Sequence, residues 1–245
     1  MMANNLKNNE DEEDRVLYLV PMLLSENDYR NVLSENVIKK IYGLRQFIVE
    51  NVRTTRRYLK TIAHPKEIDE LHFRELNEHT TYEEIANLLL FIKKENTGLM
   101  SEAGVPCVAD PGSEIIRLAH ENNIKVVPLL GPSSILMALM ASGLNGQCFA
   151  FSGYLPTKRE ERKEKLRALE KRSIVEKQTQ IFMETPYRNM QLLSDILTCC
   201  RLSTKLTIAA DITGKNEFIK TKTIKQWKEN LPELNKIPAV FLLQG

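Results

Sequence analysis

The chain has 245 residues, 42% hydrophobic and 27% charged, enough for one large domain or two small ones. Ten Gly and ten Pro are too few for a collagen-like or linker-dominated chain, and no stretch of the sequence reaches the roughly 20 apolar residues of a membrane span. The net charge, 34 minus 32, is only +2, low for a strong binder of nucleic acid.

Residues 1–14 read as an acidic, solvated tail, since residues 1–15 hold five acids against Lys7 and Arg15. The tail has no apolar core of the kind a secretory signal carries, so a cytoplasmic protein is expected. From Arg15 onward, short apolar β-rich runs alternate with helical patterns, the signature of an α/β chain. Strands are expected at Val16–Val20 and Phe47–Glu50, with a helix before the second along Tyr29, Val32, Leu33, Val37 and Ile41. A helix through Arg53–Thr61 should stop before Pro65, and Ile85, Leu88, Leu89 and Ile92 mark another before Gly98. Then follow a strand at Leu99–Ser101, a helix at Ile115–Ala119, a strand at Val126–Leu130 and a helix at Ser133–Ala141.

Gly143–Gln147 (GLNGQ) reads as a linker. Beyond it, strands are expected at Phe149–Ser152, Gln180–Glu184, Leu206–Ala210 and Ala239–Leu243, and helices over the charged run 158–172, near Met190–Leu197 and around Ile224–Trp227. The expected organisation is an N-terminal α/β subdomain over 15–130 and a C-terminal one over 131–245, with a cleft between them. Cys107, Cys148, Cys199 and Cys200 lack metal-ligand spacing, so reduced, mostly buried thiols and no metal are expected.

Two turns stand out. In GLMSEAGVPCVADPGSEIIRLA, residues 98–119, a strand ends at Ser101 and Asp110–Pro111–Gly112 has the residue types that open a helix. In VVPLLGPSSILMALMASGL, residues 126–144, a strand ends in Gly131 and Ser133 and Ser134 stand at a helix start. Loops after strands of an open α/β sheet are where ligands bind, and helix-start amides suit a carboxylate. Neither GxxxxGK[ST] nor GxGxxG is present, which points away from a polyphosphate. An ordinary βα turn with a capped helix would read the same way.

The strings SEAGVPCVADPG, PLLGPSS, ASGL, FSGYLPTKREER and FMETPYR resemble the tetrapyrrole-methylase superfamily, and within it the bacterial small-subunit ribosomal RNA methyltransferase I family. That family's EDTRxTRxLL is echoed by Glu50–Leu59, its HNE by Leu76–Glu78 and its ELTKxxE faintly by Asp211–Glu217. The resemblance implies a two-domain α/β fold with a mainly parallel N-terminal sheet and a mixed C-terminal one. It also implies a homodimer, S-adenosylmethionine as cofactor, and RNA or the small ribosomal subunit as partner. By matching position, cofactor contacts fall on Leu24, Ser101, Glu102, Ala103, Val105, Ser133, Ser134, Ile135 and Met183. The sequence departs from the family at Glu102 (Asp in the pattern), at Asn51 (an acid), at Leu76 (a histidine) and at Val20–Ser25, where the glycine of TPxGNL is missing.

Methyl transfer from a sulfonium is an in-line displacement governed by positioning, and a ribose hydroxyl gains from a general base. Glu102 is a candidate base, with a ribose or structural contact as the competing reading. Glu78 and His79 are further candidates, His79 competing with an ordinary surface histidine. RNA contacts are expected from Arg53, Arg56, Arg57, Lys158, Arg159, Arg162 and Arg188, phosphate contacts that give position rather than base choice. Tyr154 and Tyr187 could stack on a base or simply pack. The leading expectation is 2′-O-methylation of small-subunit ribosomal RNA. The alternatives are a tetrapyrrole or other small-molecule methylase and an idle relative that only binds cofactor or RNA.

Overall fold

The computed structural model describes residues 15–245, so the acidic tail expected over residues 1–14 lies outside the described residues. Strands β1 (Val16–Leu19), β2 (Gln46–Val49), β3 (His72–Glu75), β4 (Thr97–Met100) and β5 (Lys125–Pro128) form an all-parallel sheet in the order β3-β2-β4-β1-β5. β2 and β4 are buried along their whole length, as expected for central strands covered on both faces. The connecting helices are α1 (Glu35–Tyr42), α2 (Val52–Thr61), α3 (Tyr82–Ile92) and α4 (Ser113–Glu121). Leu88, Phe91 and Ile92 of α3 and Ile115 and Ala119 of α4 pack with Leu17, Ile48 and Leu99 of the strands into one core.

The second sheet runs β6-β7-β10-β8-β9, from β6 (Phe149–Tyr154), β7 (Thr179–Met183), β8 (Lys205–Ala210), β9 (Phe218–Thr223) and β10 (Ala239–Gln244). Only β6 and β7 pair in parallel, so the sheet is mixed. Alternation along the strands sorts its two faces. Phe182, Leu206, Ile208, Phe241 and Leu243 meet α6 (Arg159–Glu176), α7 (Asn189–Cys199) and α8 (Ile224–Trp227). Ile181, Ala209, Val240 and Leu242 meet α5 (Ser134–Ser142).

By packing, the chain divides into two units. One holds Asp28–Gly131 and the residues up to Met22; the other holds Leu23–Asn27 and Pro132–Gly245. Leu23–Asn27 therefore belongs with the second unit, where Ser25 Oγ lies 3.0 Å from Thr213 Oγ1 and the Asn27 amide donates to the Thr213 carbonyl at 2.8 Å. Gly143–Gln147 is no linker. It lies inside the second unit, its Asn145 donating to the Lys177 carbonyl (2.7 Å) and, through its main-chain N–H, to Gln244 (3.1 Å). The helix expected through Tyr29–Ile41 is interrupted: a short 3₁₀ turn, Tyr29–Asn31, precedes α1, which starts behind its cap Ser34. Strands β3 and β9 were not expected; both are edge strands with polar residues on both faces. No helix among the described residues is long and apolar enough to cross a membrane.

Candidate active site

All strands of the first sheet point the same way, so the loops after β2, β3 and β4 share its carboxyl end. The loop after β4 is the most constrained of them. Ser101 is buried and its hydroxyl donates to the Ala103 carbonyl (3.2 Å), while Met22 N–H donates to the Gly104 carbonyl (2.8 Å). Gly104 (φ +68°), Cys107 (φ +69°) and Ala109 (φ +67°) all adopt left-handed backbone, strained in the two non-glycine cases.

Asp110 does not cap a helix. Its carboxylate accepts from Cys107 N–H (2.6 Å) and Gly112 N–H (3.0 Å), closing the loop on itself, and α4 begins only at Ser113 with Gly112 as its cap. Burial, aided by the Asp110 charge, pushes the Cys107 thiol up to about 12, which favours the thiol form at neutral pH.

Glu102, Ala103 and Val105 follow Ser101 with the first two exposed. Glu102 is reached from two sides: its N–H donates to Glu50 Oε2 (3.1 Å), and Thr54 Oγ1 donates to its Oε1 (3.3 Å). Thr54 stands in the first turn of α2, whose cap is Asn51, accepting from Thr54 N–H at 3.1 Å. Glu50, Thr54 and the clamp made by Asp110 are the residues that sequence reading missed. The signal available was position: Glu50 is the first residue after β2, at the ligand end of the sheet. Burial raises the pKa of Glu50; the Glu102 amide opposes this, and the charges of Glu102, Asp110 and Glu78 add to it. Such a carboxyl can accept a proton, and its acidic neighbourhood favours a cationic ligand group.

Glu78 and His79 pair with each other at 3.6 Å on the surface, His79 being 84% exposed. His79 also lines an open cavity of about 410 Å³ with Arg74, Asn77 and Asn87.

In the second unit, Ser133 caps α5 by accepting from Leu136 N–H (3.5 Å). The Ser134 and Ile135 N–H groups of that first turn find no acceptor among the described residues. The Ile135 side chain is buried in the α5 core cluster, so only its main chain is free to meet a ligand. Leu24 and Met183 pack against that same cluster, bringing three of the predicted contact residues together. Gly131 precedes this turn, and a Cβ there would lie 2.1 Å from Pro21 Cβ, so no larger residue fits.

The predicted RNA contacts divide. Arg53 and Arg57 are exposed on α2. Arg56 bonds Asp69, Lys158 pairs with Glu161 (3.1 Å), Arg159 with Asp195 (3.0 Å) and Arg188 with Glu184 (2.6 Å), all retaining exposure. Arg162 is 3% exposed and locked by Asp195 (2.6 Å) and the Thr157 carbonyl (2.8 Å), so the structure removes it from the set. Its charge is buried and already neutralised, leaving nothing for a phosphate to meet. Tyr154 and Tyr187 are exposed. The described residues hold no cluster that could bind a metal.

The tetrapyrrole (corrin/porphyrin) methylases match residues 41–228 of the chain. Among its relatives, "Ribosomal RNA small subunit methyltransferase I" of Vibrio cholerae is 30% identical over 233 residues, covering 94% of this chain and 77% of that one. The protein of the same name from Haemophilus influenzae is 33% identical over 177 residues, 71% of this chain and 61% of that one. The matched stretch spans between 54% and 61% of the length of the first curated relatives. Among solved structures, the cobalt precorrin-4 methyltransferase CbiF aligns with a TM-score of 0.60 at 14% identity, covering 94% of this chain and 95% of that one. The methyltransferase CobJ gives the same TM-score of 0.60 at 13% identity, over 94% and 92%. At those identities the likeness concerns the fold.

Proposed function

The chain belongs to the tetrapyrrole (corrin/porphyrin) methylase family, and from that membership we propose that it is an S-adenosylmethionine-dependent methyltransferase acting on small-subunit ribosomal RNA, with a ribose 2′-oxygen as acceptor. The observation that carries the reading is the Ser101–Gly112 loop, pinned from Glu50, Met22 and Asp110 at the carboxyl end of the first sheet. The named activity of relatives at 29–34% identity supports the choice of substrate.

The residues present fit the cofactor. The acceptor-free Ser134 and Ile135 amides suit a carboxylate, and the Glu50–Glu102 pair suits a cationic group. Bound S-adenosylmethionine supplies an electrophilic methyl group. Leu24, Ser101, Glu102, Ala103, Val105, Ser133, Ser134, Ile135 and Met183 would hold it. Glu50 or Glu102 would take the acceptor's proton, Thr54 fixing the Glu102 carboxylate and Glu50 its main chain. Arg53, Arg56, Arg57, Lys158, Arg159 and Arg188 would meet RNA phosphates. A homodimer is part of the reading, supported by the apolar Leu136 and Met140 exposed on α5, and so is a cytoplasmic location, where ribosomal RNA is met.

The test is transfer of a tritiated methyl group to small ribosomal particles, with the product digested to nucleosides. Label on a 2′-oxygen, abolished by Ser101→Trp, supports the reading; cofactor binding without transfer to any RNA defeats it. A second reading, methylation of a tetrapyrrole, is favoured by the named activity of the fold neighbour CbiF, a cobalt precorrin-4 methyltransferase, and precorrins offered as acceptors in the same assay test it.

A further inference from the structure

On and beside α2 and α6, Arg56, Lys158, Arg159, Arg162, Lys163 and Arg172 each have a carboxylate partner, whereas Arg53 and Arg57 have no ion pair among the described residues. A second, larger set of cations without partners lies in the C-terminal unit. Arg201, Lys205, Lys220, Lys222, Lys225 and Lys228 have no ion-pair partner among the described residues, and all but Lys222 are exposed. The segment 201–228 carries seven Lys and Arg, Lys215 included, against Asp211 and Glu217. That surplus of five exceeds the net charge of the whole chain.

The fold brings these residues to one corner of the second unit, Lys220 and Lys222 on the α6–α8 face of the sheet and Lys205 on its α5 face. Lys205 opens β8 opposite Thr223 of β9, and Lys222 and Lys220 stand opposite Leu206 and Ile208. The turn before β8 is tied to the start of α8, Ile224 N–H donating to the Thr204 carbonyl (2.8 Å) and Lys225 N–H to the Leu202 carbonyl (3.0 Å). Lys222 is held with its Nζ 4.8 Å from the Trp227 ring centre. The acids nearby are committed or distant. Glu170 is buried and accepts from Arg201 N–H (2.8 Å) and the Thr204 hydroxyl, while Glu217 lies at the other end of β9, accepting from Thr213 N–H (2.7 Å). In the adjoining chain Glu229 and Glu233 follow Lys228, Glu233 accepting from Asn235 N–H (2.8 Å).

Lysines on a free sheet edge commonly guard against edge-to-edge pairing. That accounts for Lys220 and Lys222 on β9, but not for Arg201, Lys205, Lys225 and Lys228, which lie off the free edge. A membrane-binding face would need a band of exposed apolar side chains among the cations, and the large ones exposed over residues 201–231 are two isolated leucines, Leu202 and Leu231. Cations unopposed by acids are what phosphates of a nucleic acid strand require.

We propose that the corner formed by the 201–205 turn, β9 and α8 is an electrostatic docking surface for single-stranded RNA, a surface that rests on the RNA reading above and extends it. Each lysine meets phosphate as a point charge, giving affinity and orientation without base choice.

The test measures binding of a fluorescein-labelled oligouridine of about 20 nucleotides to the full chain between 50 and 200 mM salt. The comparison is with a Lys220→Gln, Lys222→Gln, Lys225→Gln, Lys228→Gln variant and with a Lys163→Gln, Arg172→Gln control. Four lost contacts should flatten the slope of log affinity against log salt by about 3, a difference of about 50-fold over that range. The control should keep the parent slope, and a melting curve confirms that both variants are folded. An unchanged slope in the fourfold variant overturns the proposal, as does parent chain that binds anionic phosphatidylserine vesicles but not the oligonucleotide. Methyl transfer to ribosomal particles is followed alongside. Transfer with an unchanged slope sinks this surface and leaves the activity, whereas a flattened slope without transfer by the parent leaves the surface and sinks the activity.

Discussion

The Glu50 carboxylate accepts the Glu102 main-chain N–H at 3.1 Å, joining residues 52 apart in sequence at the ends of β2 and β4. Burial is the main influence on Glu50 and raises its pKa, so the folded chain binds that proton more tightly than the unfolded one. The stability this confers is present below the ordinary carboxylate range and lost as pH rises through the raised value. Glu50→Gln is therefore expected to melt higher than the parent at pH 7, with the gain vanishing below about pH 4. If Glu50 is the proton acceptor, methyl transfer by the same variant drops by about 10²-fold or more. A variant that melts lower at pH 7 and transfers at the parent rate would remove Glu50 from the mechanism.

The Arg162–Asp195 pair behaves in the opposite sense. Burial alone would raise Asp195, but hydrogen bonds from Arg159 and Arg162 more than offset it, so its pKa is lowered. Stability from the pair is present above the ordinary aspartate value and lost as pH falls through the depressed one. Arg162→Ala, which leaves the buried Asp195 carboxylate with Arg159 as its remaining cation, should cost about 3 kcal/mol in urea unfolding at pH 7, with less cost at pH 3. Its effect on RNA binding should follow its unfolding alone; weaker RNA binding by a variant as stable as the parent would restore Arg162 as a contact.

The exposed face of α5 carries Leu136 and Met140, the latter 83% exposed, on a helix with no charged residue. The proposed homodimer would bury this face. Met140→Lys is expected to shift the chain from dimer to monomer in sedimentation at micromolar concentration. A parent that sediments as a monomer would defeat the dimer.

Most strands were legible because their apolar runs are short and sharply bounded, as in Val16–Leu19 and Ala239–Gln244. β3 (HFRE) and β9 (FIKTKT) were not, because an edge strand need not bury either face. The constrained loop at Ser101–Gly112 could be read from its own residues. What pins it could not: Glu50 and Glu102 meet only through the parallel pairing of β2 with β4. Arg162 failed for the same reason. Its partner Asp195 lies 33 residues away on another helix, and a basic run reads alike whether its charges face water or an acid. The unopposed cations of 201–228 were overlooked because they are spread over a turn, two strands and a helix that only the fold assembles.

Asp110–Pro111–Gly112 looks like a helix start, yet its glycine has a steric role. A Cβ at Gly112 would lie 2.5 Å from Cys107 Sγ and 3.2 Å from Asp110 Oδ1, although its φ of −67° suits any residue. The demand is for space, not backbone freedom. Gly112→Ala should cost about 1–3 kcal/mol by forcing Cys107 aside and loosening the Asp110 clamp, weakening S-adenosylmethionine binding measured by calorimetry. Cys107→Ala removes the opposing sulfur, so the two changes should couple. In the Cys107→Ala background, Gly112→Ala is expected to lose at least half its cost. An undiminished cost there would mean that the clash lies with Asp110, and Asp110→Asn, which retains the bulk, would then leave it unrelieved.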